Sequence, residues 1–115
     1  MALETVEKNN LLDATTITHF SLHQTDPSGT GGGELTGGAP AYARKAANFN
    51  AAAAGVKSIS DQPIFDIPSG STVEYVGFWN ALSGGTFLGS DQLPAAEVYA
   101  AQGTYKLTAG QLSIP

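Results

Sequence analysis

The sequence predicts an all-β fold: an antiparallel β-sandwich, of jelly-roll or immunoglobulin-like type, with a short N-terminal helix or arm. Short runs of alternating apolar and polar residues recur along the chain, as in strands that bury one face. Clusters rich in Gly, Ser, Thr and Pro separate these runs at intervals of roughly ten residues. Strands do not alternate with helical patterns, so a parallel sheet is not expected. We divide the chain into a helix or arm at residues 1–16 and a β-sandwich domain at residues 17–115.

The first element is a helix predicted over residues 2–14, a stretch without internal glycine or proline. Leu3, Val6 and Leu11 lie near one stripe of such a helix. A helix of this length is marginal by itself in water, so we expect it to dock on another surface. These three apolar residues are therefore candidate contacts with a partner subunit.

The remaining elements are strands, each bounded by turn residues. The alternating runs and the turn clusters between them predict strands over residues 16–24, 42–49, 55–60, 64–67, 73–80, 86–88, 104–108 and 112–114.

The composition limits the classes of function. The chain of 115 residues has no cysteine, which excludes disulfides and thiolate chemistry. Its formal net charge is −5 with only five basic residues, which argues against a nucleic-acid partner. The sequence has neither an apolar run long enough to cross a membrane nor the basic and apolar regions of a signal peptide. Charged residues make up 13%, about half the usual quarter, which suits a surface that packs on neighbours.

The two histidines lie in "ITHFSLHQTDPSG", where alternation places Phe20 and Leu22 in the core and His19, Ser21 and His23 outside. On a strand the two histidines are about 13 Å apart, which is too far to share one metal ion. We therefore predict no metal site here.

The glycine tract at residues 27–38 raises the question of a phosphate-binding loop. It lacks the lysine and the following helix that such a loop requires. We therefore predict an exposed, flexible connection that binds no nucleotide and no other cofactor.

Catalytic residues are not predicted. The serines of "SGSTV" and "SGG" lack the motif of a nucleophile elbow. The carboxylates Asp61, Asp66, Asp91 and Glu97 mostly flank turns, where Asp commonly bends the backbone, although a spatial carboxylate pair stays open. The prediction is that the protein is not an enzyme.

The stretch "VEYVGFWN" places Val76 and Phe78 on one face of a strand and Tyr75 and Trp79 on the other. We expect the first face to be core. Tyr75 and Trp79 are candidate partner contacts, because large rings are favoured in interfaces. The alternative is a sugar-stacking platform, which would make the protein a carbohydrate-binding adhesion module that recognises host surface glycans.

The same residues carry a family likeness over about residues 17–115. The sequence resembles small bacteriophage virion proteins of the tail fiber or minor tail type, some of whose relatives are head decoration proteins. The pieces that carry the resemblance are Ser21-Leu22-His23 followed by Asp26-Pro27, then Tyr42-Ala43-Arg44, then Gly77-Phe78-Trp79 followed by Gly84-Gly85.

The resemblance implies a structural role and no catalytic residues. The expected protein is a small accessory subunit of the particle surface, made in the host cytoplasm and located in the virion. Its expected partners are capsid or tail subunits and further copies of itself, for example in a trimer, because virion proteins commonly form symmetric oligomers.

Overall fold

The computed structural model describes residues 2–108 and 110–113, which form one helix and eight strands. In chain order these are α1 (Thr5–Asp13), β1 (His19–His23), β2 (Lys45–Ala46), β3 (Val56–Lys57), β4 (Ile64–Ile67), β5 (Ser71–Trp79), β6 (Phe87–Tyr99), β7 (Gly103–Lys106) and β8 (Leu112–Ser113). The predicted mainly-β fold with a short N-terminal helix is confirmed.

The strands form three sheets, and every pairing between named strands is antiparallel. The largest sheet has four strands in the order β2-β1-β5-β6. Two smaller sheets pair β3 with β8 and β4 with β7. The arrangement as a two-sheet sandwich, and the domain boundary after residue 16, stay predictions.

The core lies on one face of the four-stranded sheet. The register of β1 and β5 places Phe20 opposite Phe78 and Leu22 opposite Val76, so the inward-facing residues of both strands share that face. Alternation predicted that these four residues lie in the core, and all four are buried. The buried hydrophobic cluster comprises Phe20, Leu22, Leu35, Phe65, Ile67, Val73, Val76, Phe78, Leu93 and Leu107.

The longest strand, β6, was predicted only at residues 86–88. Its register with β5 is irregular, because Val73 lies opposite Glu97 whereas Tyr75 lies opposite Gln92. The extra residues on β6 include Pro94, which is typical of an edge strand or a bulge. Such residues are typical of turns, so the predicted strand ended at residue 88, whereas β6 continues to Tyr99.

Two other predicted strands are shorter than expected. The run at 42–49 contributes only β2, and the run at 55–60 contributes only β3, to regular pairing. The closing strand was predicted to reach Ile114, which lies outside the described residues.

Candidate functional site

The face of the four-stranded sheet opposite the core carries the most distinctive cluster of polar side chains. The register pairs Ser21 with Gly77, His19 with Trp79 and His23 with Tyr75, so these residues share one face. Ser21 and His23 were predicted to point outward into solvent or toward a neighbour, and that prediction is wrong. Both side chains are fully buried within the chain itself.

The glycine tract, residues 27–38, is what covers this face. In the C-terminal half of the tract, the Gly33 carbonyl accepts from the Gln24 N–H and the Leu35 N–H donates to the Leu22 carbonyl. These two hydrogen bonds join the tract to β1. Leu35 is buried in the core. Most residues of the tract are exposed, as predicted, but the tract is not a free connection, because hydrogen bonds and the buried Leu35 attach it to the sheet.

Close packing explains a glycine at Gly31, which lies against the indole of Trp79. A Cβ at this position would lie 2.6 Å from Trp79 Cζ2, and the backbone φ of +74° also favours glycine. The tract therefore reaches the ring because it carries no side chain there.

A chain of hydrogen bonds runs beneath the tract. Trp79 Nε1–H donates to Ser21 Oγ at 2.7 Å, and Ser21 Oγ lies 2.6 Å from His23 Nε2. His23 Nδ1 lies 2.7 Å from the Gly32 carbonyl oxygen. Because a carbonyl only accepts, Nδ1 carries the proton of the neutral ring, and Nε2 accepts from the Ser21 hydroxyl. We call Trp79, Ser21 and His23 the Trp–Ser–His chain.

The Trp–Ser–His chain needs the space left by Gly77. A Cβ at Gly77 would collide with Ser21 Oγ and lie 2.6 Å from His23 Nε2. A glycine inside a strand often marks such a close approach, so this residue was a usable signal in the sequence.

A guanidinium also packs on the indole. Arg44 lies over the Trp79 ring with 3.6 Å between its Cζ and the ring centroid. It also donates two hydrogen bonds of 3.0 Å to the carboxylate of Glu34, and further bonds to the Ala81 and Gly84 carbonyls. Arg44 thus ties the tract, the β5–β6 turn and Trp79 together.

Tyr42 completes this cluster. Its hydroxyl donates to Glu34 at 2.8 Å and accepts from the Leu22 N–H at 3.0 Å. Burial raises the pKa of the Tyr42 phenol well above its ordinary value, so it stays neutral and keeps donating. Sequence reasoning did not identify Glu34 or Tyr42 as functional, because their partners are distant along the chain.

The Ser21–His23 pair has the spacing of a nucleophile and its base. However, both residues are fully buried, and the serine oxygen already accepts the Trp79 N–H. A substrate would have to displace the glycine tract and the indole to reach the hydroxyl. The geometry therefore supports a role in holding the fold together.

Metal binding finds no support at the histidines. His19 Nδ1 is engaged with the Thr18 hydroxyl, and His23 is enclosed as described. Within residues 2–108 and 110–113, no three His, Cys, Asp or Glu side chains cluster as metal ligands.

The predicted partner contacts on β5 differ in exposure. Tyr75 is half-buried, and Trp79 is only 8% exposed because Gly31 and Arg44 cover its ring. An indole enclosed in this way does not offer a flat face to a sugar. The proposed sugar-stacking platform therefore loses its larger ring.

The predicted contacts on the helix are more accessible. Val6 is 68% exposed and Leu11 is 49% exposed, whereas Leu3 is half-buried. The one buried side chain of α1 is Leu12. The helix thus docks on the protein, as expected, but leaves two apolar residues of the predicted stripe outside.

Polar side chains hold α1 against β3 and the segment before it. Asp13 Oδ1 accepts from Lys57 Nζ at 2.6 Å and from the Ala52 N–H at 2.9 Å, and Asn9 Oδ1 accepts from the Gly55 N–H. The hydrogen bond from Lys57 holds the pKa of the Asp13 carboxyl below its ordinary value. No helix in the described part of the chain is long and apolar enough to cross a membrane.

Comparison with known proteins gives one family. The family model described as Podophage GP4 fiber I protein gp80 matches residues 2–115. A search of curated proteins finds no match. The matched range includes the helix and all eight described strands.

Proposed function

We propose, because the chain belongs to the Podophage GP4 fiber I protein gp80 family, that it is a non-enzymatic structural protein of the phage virion. It acts as a small accessory subunit of the particle surface, of the tail fiber type. The observation that carries this proposal is the family match over residues 2–115, since it covers the whole fold and not one shared motif.

The polar cluster supports a structural role. A hydrolase would expose its nucleophile, whereas Ser21 here is enclosed by Trp79, Gly77 and His23. The most elaborate hydrogen bonding of the described residues serves to hold a surface loop on a sheet. This is what a subunit needs when it works by keeping its shape.

Assembly with other virion proteins, and with copies of this chain in a symmetric oligomer such as a trimer, uses the apolar residues of the N-terminal segment. The proposed contacts are the exposed Val6 and Leu11 of α1, with the half-buried Leu3 just before it. Because Asn9, Asp13 and the buried Leu12 already fix the helix to its own chain, this face is presented rigidly. Tyr75 and Trp79 on β5 are secondary proposed contacts, of which the half-buried Tyr75 is the more accessible.

The experiment compares incorporation into particles. A phage lacking the gene is complemented with the wild-type gene or with a Val6→Glu/Leu11→Glu variant, and the chain is quantified by mass spectrometry of purified particles. We expect at least a tenfold lower occupancy for the variant, because two carboxylates cannot be desolvated in an apolar contact. The control Leu82→Glu changes another exposed leucine, away from α1, and should incorporate normally.

Two results would contradict the proposal at different levels. Absence of the wild-type chain from purified particles would contradict the virion role itself. Wild-type occupancy of the Val6→Glu/Leu11→Glu variant would contradict only the assignment of the contact to α1.

A further inference from the structure

His23 is the one fully buried histidine, and both of its ring nitrogens are committed to hydrogen bonds that hold the glycine tract. We propose that His23 is an acid-sensitive latch: the neutral ring holds the tract on the sheet, and protonation releases the tract and uncovers Trp79. This inference concerns the fold and does not depend on the proposed virion role.

The hydrogen-bond donors and acceptors around His23 match the neutral ring and not the protonated one. Protonation places a second N–H on the His23 ring, at Nε2, where the ring now accepts from the Ser21 hydroxyl. Ser21 Oγ already accepts the Trp79 N–H. To accept from Nε2 as well, the hydroxyl would have to point its own proton elsewhere, and a buried donor without an acceptor is unfavourable. The Trp–Ser–His chain therefore fits only the neutral ring.

A protonated His23 would lack a counter-ion. The charged side chains that act on His23 are Glu34, which raises the pKa of the ring, and Arg44, which lowers it. The Glu34 carboxylate is already bonded to Arg44 and Tyr42, so it is not free to pair with an imidazolium. The register partner on β5 is Tyr75, a phenol. An imidazolium would thus be buried without a counter-ion of its own, which is costly.

The electrostatics agree with this geometry. Burial is the largest influence on His23 and lowers its pKa below the ordinary value of 6.5. A group whose pKa is lowered in the held form takes up its proton on release. The tract is therefore held firmly above pH 6.5 and is progressively destabilised as the pH falls below that value.

The part of the tract that opens is the glycine stretch at residues 31–33, since Leu35 beyond it is buried in the core and its N–H donates to the Leu22 carbonyl. Gly31 contacts Trp79 and the Gly32 carbonyl binds His23, while β1 itself is held by β5 and by the core residue Phe20. Glycine also gains more conformational freedom on release than other residues do. Losing the His23 bonds therefore opens the tract before it opens the sheet.

The protein carries its own reporter, since Trp79 is its only tryptophan. Fluorescence of the wild-type chain is followed from pH 8 to pH 4 at constant ionic strength. We expect a shift of the emission to longer wavelength below pH 6.5, with the equilibrium constant for release rising up to tenfold per pH unit. His23→Gln should remove this transition. His19→Gln, the matched control at the half-buried histidine of the same strand, should retain it.

A second measurement keeps the test valid if His23→Gln does not fold. In the wild-type chain, ¹⁵N chemical shifts report the tautomer and titration of each imidazole, and hydrogen exchange reports the amides of residues 29–33. The latch predicts the Nδ1–H tautomer for neutral His23, and exchange of these amides that accelerates in step with the titration of His23.

Several results would overturn the latch. One is a tryptophan transition that persists unchanged in His23→Gln. Another is titration of His23 with no change in the tract amides. A third is loss of the transition in Glu34→Gln with retention in His23→Gln, which would assign it to the carboxylate.

Discussion

At Gly77 a hydrogen atom occupies the space where any other residue would place a carbon against Ser21 and His23. Gly77→Ala should therefore lower the free energy of unfolding by about 1–3 kcal/mol, because the added methyl group overpacks a rigid strand. The measurement is urea denaturation followed by tryptophan fluorescence. Gly29→Ala is the control, since a Cβ at that position meets no atom within 4 Å.

An unchanged stability of Gly77→Ala would show that the strand relaxes and that the Trp–Ser–His chain is not tightly fixed. The same variant should also shift Trp79 fluorescence, because the indole loses its rigid partner. A loss of stability without this spectral change would show that the added methyl group strains a part of the protein other than the Trp–Ser–His chain.

Residue by residue, alternation predicted one face of the sheet well. Phe20 and Leu22 on β1, with Val76 and Phe78 on β5, are buried as predicted. The other face could not be predicted in the same way, because alternation says which residues share a face but not what folds over it. His23 is buried by a glycine-rich segment, and that segment has no apolar periodicity from which its packing could be predicted.

At the scale of elements, the glycine tract is a packed segment. If the tract were a free loop, removal of three glycines would cost little, since loop-closure entropy changes by only about 0.6 kcal/mol per doubling of length. Deletion of residues 31–33 removes the Gly32–His23 and Gly33–Gln24 hydrogen bonds. We now expect a loss of at least about 2 kcal/mol, at about 1 kcal/mol per bond. A loss below about 0.5 kcal/mol in urea denaturation would show that the tract is free.

The attachment of α1 gives a prediction that local hydrogen exchange can check. Asp13→Ala removes the acceptor for Lys57 and Ala52, so amide exchange should accelerate across α1 while the four-stranded sheet stays protected. Asn10→Ala is the control, because it changes an exposed polar residue of the same helix. Equal exchange in both variants would show that Leu12 and Asn9 are sufficient to anchor the helix.

Elements differed in how far the sequence could define them. The aromatic strand β5 was predicted almost to its ends, because its run of apolar and aromatic residues contains no proline and is bounded by turn residues on both sides. Strand β6 was not, since Asp91, Pro94 and Glu97 interrupt its apolar pattern and resemble turn residues. The helix predicted over residues 2–14 lies at Thr5–Asp13, but its attachment to the rest of the chain through Asn9 and Asp13 was not predicted, because these hydrogen bonds leave no apolar pattern.

At the scale of the whole molecule, the match to the fiber family to which the chain belongs covers residues 2–115, a range that includes the helix and all eight described strands. The general role was predictable from the resemblance of its motifs to phage virion proteins. The contacts proposed for other subunits involve α1, and the exposure of Val6 and Leu11 on this helix is defined only by the folded chain.

The most direct test of the central claim is immunogold labelling of purified particles of the phage that encodes this chain, with an antibody raised against the purified protein. We expect gold on the fibers of intact particles, together with peptides of the chain in the mass spectrum of the same preparation. Unlabelled particles that yield no such peptides, from lysates in which the chain is abundant, would contradict it.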